Sequence, residues 1–303
     1  MLNKYFILLF LMLLACVPAH GKTGCGETGV WLQVLGSGGP ELDDGRASSG
    51  YVIWHDGKAR LVIDMGGGSL FRFEQSGASL NDLDAILFSH LHVDHSSDLP
   101  ALIKASFFLD RNRDLPLYGP TGNRFMPSAT NFLQDLFGPD GAYQYLSRYL
   151  DGSGGYRLLP HDVDASGKAE QVVLADSRYR LTAVPVHHGA LPALAWRVAI
   201  AGKVIVFSGD MSNNNGTLAV LAKQADLLVA HHAVPEGATG VARNLHMPPS
   251  VIGQVAAKAK VKQLVLSHRM NRTLGQEPVS TVHIRKAYNG PLQFADDLQC
   301  FRL

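Results

Sequence analysis

The sequence predicts a layered α/β sandwich folded as a single domain. Strand-like apolar runs occur in both halves of the chain, and helical patterns lie between them. No internal repeat or low-complexity tract divides the chain, and the one candidate linker, Asp151–Gly155, is no longer than a loop. The chain has 303 residues, of which 46% are apolar and 17% charged, so enough apolar surface exists to offset the entropy of ordering it. Lys plus Arg number 27 and Asp plus Glu 26, a net charge of +1 with no block of one sign. That balance argues against a general nucleic-acid binder. The informative excess is histidine, with 13 residues, several of them clustered.

Met1–Gly21 reads as a signal peptide. Lys4 supplies the positive start, and Tyr5–Ala15 is an unbroken apolar run, short for a membrane span but suited to a signal-peptide core. Ala19-His20-Gly21 offers small residues for simple cleavage, whereas Leu13-Leu14-Ala15-Cys16 resembles a bacterial lipobox that would leave a lipid anchor on Cys16. Either way the expectation is an exported protein, periplasmic or secreted, with no transmembrane span and a working domain over residues 22–303. In an oxidising compartment Cys25 and Cys300 either close a disulfide or stay unrelated thiols, and spacing does not choose.

Val30–Leu35 alternates like a strand and ends at the turn Gly36-Ser37-Gly38-Gly39-Pro40. Tyr51–Trp54 and Arg60–Asp64 form a hairpin pattern around Asp56-Gly57. Asp84–Ser89 is nearly all apolar, the mark of a strand covered on both faces, and Asp98–Leu109 has helical spacing. Asp110–Gly167 reads as turn-rich, a roof over the pocket, with a helix over Phe132–Leu150 that serves as a lid or as a homodimer contact. The aromatics Phe107, Phe108, Phe125, Tyr143 and Tyr145 are read as core packing in preference to an apolar leaving-group pocket. Strands return at Tyr179–Val186, Leu194–Ile200, Val204–Ser208, Leu227–Ala230 and Gln263–Ser267, with a helix at Pro249–Lys260.

The strongest chemical signal is Ser89-His90-Leu91-His92-Val93-Asp94-His95, directly after a buried strand. Neighbours on a strand point to opposite faces, so these side chains converge only from a loop. Imidazole and carboxylate are the ligands a borderline cation such as zinc prefers. His187-His188, Asp210 and His268 each follow a later apolar run, where open α/β sheets gather ligands. Together they supply donors for two metals bridged by a carboxylate.

The order His90-x-His92-x-Asp94-His95, then His188, Asp210 and His268, resembles the metallo-β-lactamase superfamily. Leu35–Pro40, Ile63–Gly66, Ser208–Asp210 and Leu264–His268 resemble the branch that includes ribonuclease Z, phosphodiesterases and a secreted arylsulfatase type. The resemblance implies a four-layer αββα sandwich with two divalent ions, zinc foremost and Mn2+ or Fe2+ as alternatives. It assigns His90, His92 and His188 to one ion, Asp94, His95 and His268 to the other, and Asp210 to the bridge. Cysteine is missing at Asp210 and glutamate at His92, which disfavours antibiotic hydrolysis and redox iron chemistry. The stretch from Trp196-Arg197 to Gly209-Asp210 is too short for the tRNA-gripping arm of ribonuclease Z.

The expected function is therefore an exported dinuclear metal hydrolase cleaving a phosphodiester or sulfate ester with hydroxide generated at the metals. The expected substrate is a small-molecule ester, and nucleic acid is not an expected partner. Asp94 and His246 are the expected catalytic groups, His246 protonating the leaving group by resemblance. Asp64 is read as orienting a ligand imidazole, His187 as facing away from the metals, and His231 and His232 as undecided between positioning roles. The alternatives are a lactone or carboxylic ester hydrolase on the same site, and a non-catalytic metal-binding protein.

Overall fold

The computed structural model describes residues 24–303; the expected leader Met1–Gly21, with Cys16, lies outside the described residues. In chain order the strands are β1 (Val30–Gly36), β2 (Gly50–His55), β3 (Lys58–Met65), β4 (Ala85–Leu87), β5 (Leu115–Pro120), β6 (Leu158–Val163), β7 (Gln171–Ala175), β8 (Tyr179–Pro185), β9 (Leu194–Ile200), β10 (Lys203–Phe207), β11 (Leu227–His231), β12 (Gln263–Ser267), β13 (Leu292–Phe294) and β14 (Cys300–Arg302). The helices are α1 (Ser69–Ser76), α2 (Val93–Ser96), α3 (Leu99–Ser106), α4 (Ala129–Phe137), α5 (Arg148–Asp151), α6 (Leu218–Leu221), α7 (Gly240–Leu245), α8 (Pro249–Ala259) and α9 (Glu277–Arg285).

Two mixed seven-stranded sheets, ordered β14-β1-β2-β3-β4-β5-β6 and β13-β12-β11-β10-β9-β8-β7, stack face to face with helices outside each. The period of two in the strands explains the layers. Tyr51 and Ile53 of β2 enter the core between the sheets, whereas Val52 and Trp54 pack under the helices α1, α3 and α4. In β9, Leu194, Trp196 and Val198 face the other sheet, and Ala195 faces the layer of α6 and α8. Both faces of these strands are covered, so they read as nearly continuous apolar runs. Trp196 ties the sheets together: its side chain is fully buried and its indole N–H donates to the Phe88 carbonyl at 3.0 Å.

The region 110–167 departs from expectation. Phe132–Leu150 is not one helix: α4 ends at Phe137, where Gly138-Pro139 follows, and proline clashes with a continuing helical turn. Pro116, Gly119 and Pro120 read as turn signals, yet they lie in β5, which pairs with β6 at the sheet edge. The aromatics expected in the core are largely outside it, because Phe107, Phe108, Phe125, Tyr143 and Tyr145 are all exposed. Among the described residues no helix is long and apolar enough to cross a membrane.

Cys25 and Cys300 form a disulfide across 275 positions, which fastens the first described residues to β14. A cross-link between chain ends removes much freedom from the unfolded chain, a contribution of about 2–4 kcal/mol. Cys25→Ser is expected to lower the melting temperature by several degrees relative to the oxidised protein. Dithiothreitol would lower the parent to the same value and leave the variant unchanged; equal melting temperatures for oxidised parent and variant would remove the disulfide from the account.

Candidate metal centre

Strand register brings the polar residues to one edge. In the second sheet β10, β11 and β12 run parallel, with Phe207 opposite Val229 and His231 opposite Ser267, so Asp210, His231 and His268 leave at one level. In the first sheet β3 and β4 are parallel with Ile63 opposite Leu87, which places Asp64 beside the start of the 89–95 loop. That loop is pinned across the sandwich, the Leu194 N–H donating to the Ser89 carbonyl at 2.8 Å. Glycines allow the close approach. A Cβ on Gly66 would overlap the carbonyl oxygen of Asp94, and Gly209, at φ +57, lies against Ser89.

All seven expected ligands converge. His90, His92, His188 and Asp210 offer ligand atoms within 4.8 Å of one another. The Nε2 atoms of His90 and His188 lie 2.9 and 3.4 Å from His92 Nδ1, and 4.0 and 3.9 Å from Asp210 Oδ2. The second compact group is His95, Asp210, His231 and His268. Asp94 borders it, with Oδ2 at 3.1 Å from His268 Nε2 and 3.5 Å from His95 Nε2. Asp210 belongs to both groups: Oδ2 faces His90, His188 and His95, and Oδ1 faces His268 at 3.4 Å and His231 at 2.7 Å.

Hydrogen bonds at the far side of each ring set its orientation. His95 Nδ1 lies 2.9 Å from Asp64 Oδ2, and Asp64 also accepts from the Ser89 N–H and hydroxyl, each at 2.7 Å. Asp64 therefore does what its position in sequence suggested. His188 Nδ1 donates to the Leu245 carbonyl at 3.0 Å, which turns Nε2 inward. His187 points away, 2.7 Å from the Ser212 hydroxyl. Asp64 and His268 have φ +54 and +52, left-handed backbone that costs a non-glycine residue about 1–3 kcal/mol.

The undecided pair also separates. His231 reaches inward to Asp210, with its Nε2 3.1 Å from the Tyr51 hydroxyl, which donates to Ser267 at 2.9 Å. His232 turns outward to Ser280, 2.9 Å away. Tyr51 and Ser267 were not legible as site residues, since each sits in an ordinary apolar strand. Burial pushes His231 down to about 4, against the pull of Asp210.

The donor set fits divalent cations. His90 and His188 are held below the ordinary imidazole range, by burial first, and so present neutral lone pairs. Burial would raise Asp210, but the imidazoles of His268, His246 and His95 hold it well below the carboxylate range. His95 Nε2 is buried, faces Asp94 and Asp210, and has no hydrogen-bond partner among the described residues. An orphaned buried donor or acceptor costs about 1–3 kcal/mol, which a cation between these groups would relieve.

A cavity of about 220 Å³ opens onto the cluster, bordered by Pro40, Leu245, His246, Met270 and Arg272. No residue of 110–167 borders it, so that region does not roof the site; the loop carrying Pro40 and the segments after α7 and β12 do. His246 is nearly buried, and its Nδ1 lies 3.8 Å from Asp210 Oδ1 with no hydrogen bond. Arg272, whose Nε donates to the Ala233 carbonyl, brings a cation to the rim that carried no sequence signal.

The two stacked sheets with this edge cluster define a metal-dependent hydrolase of the metallo-β-lactamase type. The family described as "Beta-lactamase superfamily domain" matches residues 60–269, and the chain belongs to the metallo-β-lactamase superfamily. Ribonuclease Z of Haloferax volcanii is 28% identical over 296 residues, covering 88% of this chain and 92% of that protein. The metallo-β-lactamase fold protein YhfI from Bacillus subtilis superposes with a TM-score of 0.71 at 19% identity, over 90% of this chain and 99% of that one. The short form of human tRNase Z gives 0.67 at 18% identity, over 89% and 98%. These two structures share the fold.

The expectation that nucleic acid is not a partner is corrected by the sequence relatives, several of which are named ribonuclease Z. Net charge and a missing arm concern the grip on a whole tRNA.

Asp64→Asn is expected to lower zinc affinity about 10–100-fold with the fold intact, because His95 loses its orienting carboxylate. Competition against a chromophoric chelator measures it; unchanged affinity would show that Asp64 serves packing alone.

Proposed function

We propose that this protein is an exported hydrolase of phosphodiesters working with two divalent cations, zinc foremost. The observation that carries the proposal is the Asp210 carboxylate, which both groups of imidazoles share: Oδ2 faces His90, His188 and His95, and Oδ1 faces His268. His90, His92 and His188 would hold one ion, and Asp94, His95 and His268 the other, with Asp210 common to both. His231 stands close enough to the second group to brace Asp210 from behind, through its own bond to Tyr51. When bound, such a pair of ions supplies a water acidified towards neutrality and offsets charge growing on the phosphoryl oxygens.

The chain's own groups do the rest. Asp94 takes the proton released by the attacking water. His246, at the cavity mouth, delivers a proton to the departing oxygen. Burial pushes His246 down to about 3, so it rests neutral, and the proton it delivers is the one that Asp94 takes from the attacking water and passes on. Arg272 gives the rim a fixed positive charge, which favours an anionic ester over a neutral lactone. Export is supported by the leader sequence together with the disulfide, a bond that persists in oxidising compartments.

A panel of bis-p-nitrophenyl phosphate, p-nitrophenyl sulfate, an acyl lactone and a precursor tRNA tests the proposal. The phosphodiesters should turn over at least tenfold faster than the others, and preference for the lactone would overturn it. The tRNA belongs in the panel because the sequence relative is a ribonuclease Z. Asp210→Ala should lose both metal and activity. His246→Ala should keep the metal and lower kcat by about 10²–10⁴; loss of metal would make His246 a ligand instead.

A further inference from the structure

The metal cavity carries a second kind of wall that the hydrolase reading does not use. Besides the expected ligands it is bordered by Pro40, Leu245, His246, Met270 and Arg272. His246 and Arg272 serve proton transfer and charge, whereas the side chains of the other three present only carbon and sulfur. These apolar walls are fixed in place. Pro40 follows Gly39, whose carbonyl accepts from the Ser48 hydroxyl at 2.8 Å, and a Cβ on Gly39 would lie 3.1 Å from Met270 Cγ. The Met270 thioether in turn accepts from Arg272 Nη2 at 3.2 Å. Leu245 lies against the turn after His188, since a Cβ on Gly189 would come within 2.9 Å of its Cδ2.

Each wall continues into an exposed apolar residue. Leu42 follows Pro40 by two positions and is 98% exposed. A single exposed leucine is ordinary, but this one is clamped beside the cavity. Glu41 accepts from the Asn271 backbone N–H and Asp43 from the Asn271 side-chain amide, each at 2.5 Å, and Asn271 stands between Met270 and Arg272. Val241 is 76% exposed and lies one turn before Leu245 on the same face of α7, a helix with no buried residue. A charged or hydroxyl-rich substituent would lose water here without gaining partners, whereas an alkyl chain sheds water favourably.

We propose that the phosphodiester taken at this site carries an alkyl chain on one ester oxygen, and that Pro40, Leu42, Val241, Leu245 and Met270 form the subsite for that chain. Arg272 meets the phosphoryl charge while these walls take the chain, so the substrate is amphiphilic. Such a preference rests on the phosphodiester reading above and adds which ester that site selects.

The test is a series of methyl, butyl and octyl p-nitrophenyl phosphates, which share one leaving group, assayed on the zinc-loaded protein below micelle-forming concentrations. From methyl to octyl, kcat/KM should rise at least about twentyfold, mainly through KM, because each methylene that leaves water adds affinity. Leu42→Ser combined with Val241→Ser should cut that rise about threefold or more at unchanged melting temperature. Leu42→Met should keep it, as should Val172→Ser, an exposed position on β7. A flat series with the methyl ester still cleaved overturns the subsite and leaves the phosphodiester reading standing. Cleavage of the lactone but of no phosphodiester removes that reading and the subsite with it. A rise untouched by the paired serine substitutions also overturns the proposal, because the chain would then lie elsewhere.

Discussion

Everything at the working edge depends on one carboxylate. Asp210 is buried, and each of its oxygens faces imidazoles delivered by different strands. Such a charge is tolerable in the interior only when opposite charges or hydrogen bonds surround it. The surroundings are supplied by both sheets, so this carboxylate can be in place only once the sandwich has closed. Trp196, bonded across the sheets to Phe88, and Leu194, bonded to Ser89, hold the two contributing edges in register. Core packing and site geometry are one construction here.

The cluster is also preorganised from behind. Asp64 holds His95, the Leu245 carbonyl holds His188, and Tyr51 steadies His231. Locking the rings before a cation arrives spares binding the entropy of ordering them, which is why supporting residues weigh nearly as much as ligands.

Much of this construction is legible in the order of the amino acids. Strands buried on both faces, such as Tyr51–Trp54 and Leu227–Ala230, announce themselves as apolar runs, and the histidines at their ends stand out by chemistry. What stayed hidden has physical reasons. Tyr51 and Ser267 act through positions set by sheet stacking, which no local pattern encodes. His231 and His232 could be told apart only once the end of β11 was located, since neighbours there face opposite ways. The prolines of β5 masked a strand, and Gly138-Pro139 cut a helix that periodicity alone would continue. Phe107 and Phe108, just after α3, are exposed where core packing was expected, because apolar character alone does not say which face of the chain turns inward.

The most direct test of the central claim is anomalous diffraction at the zinc edge from crystals of the zinc-loaded protein. The account predicts two peaks about 3.5–4 Å apart, one on each side of the Asp210 carboxylate. A single peak, or two peaks that Asp210 does not join, would contradict it.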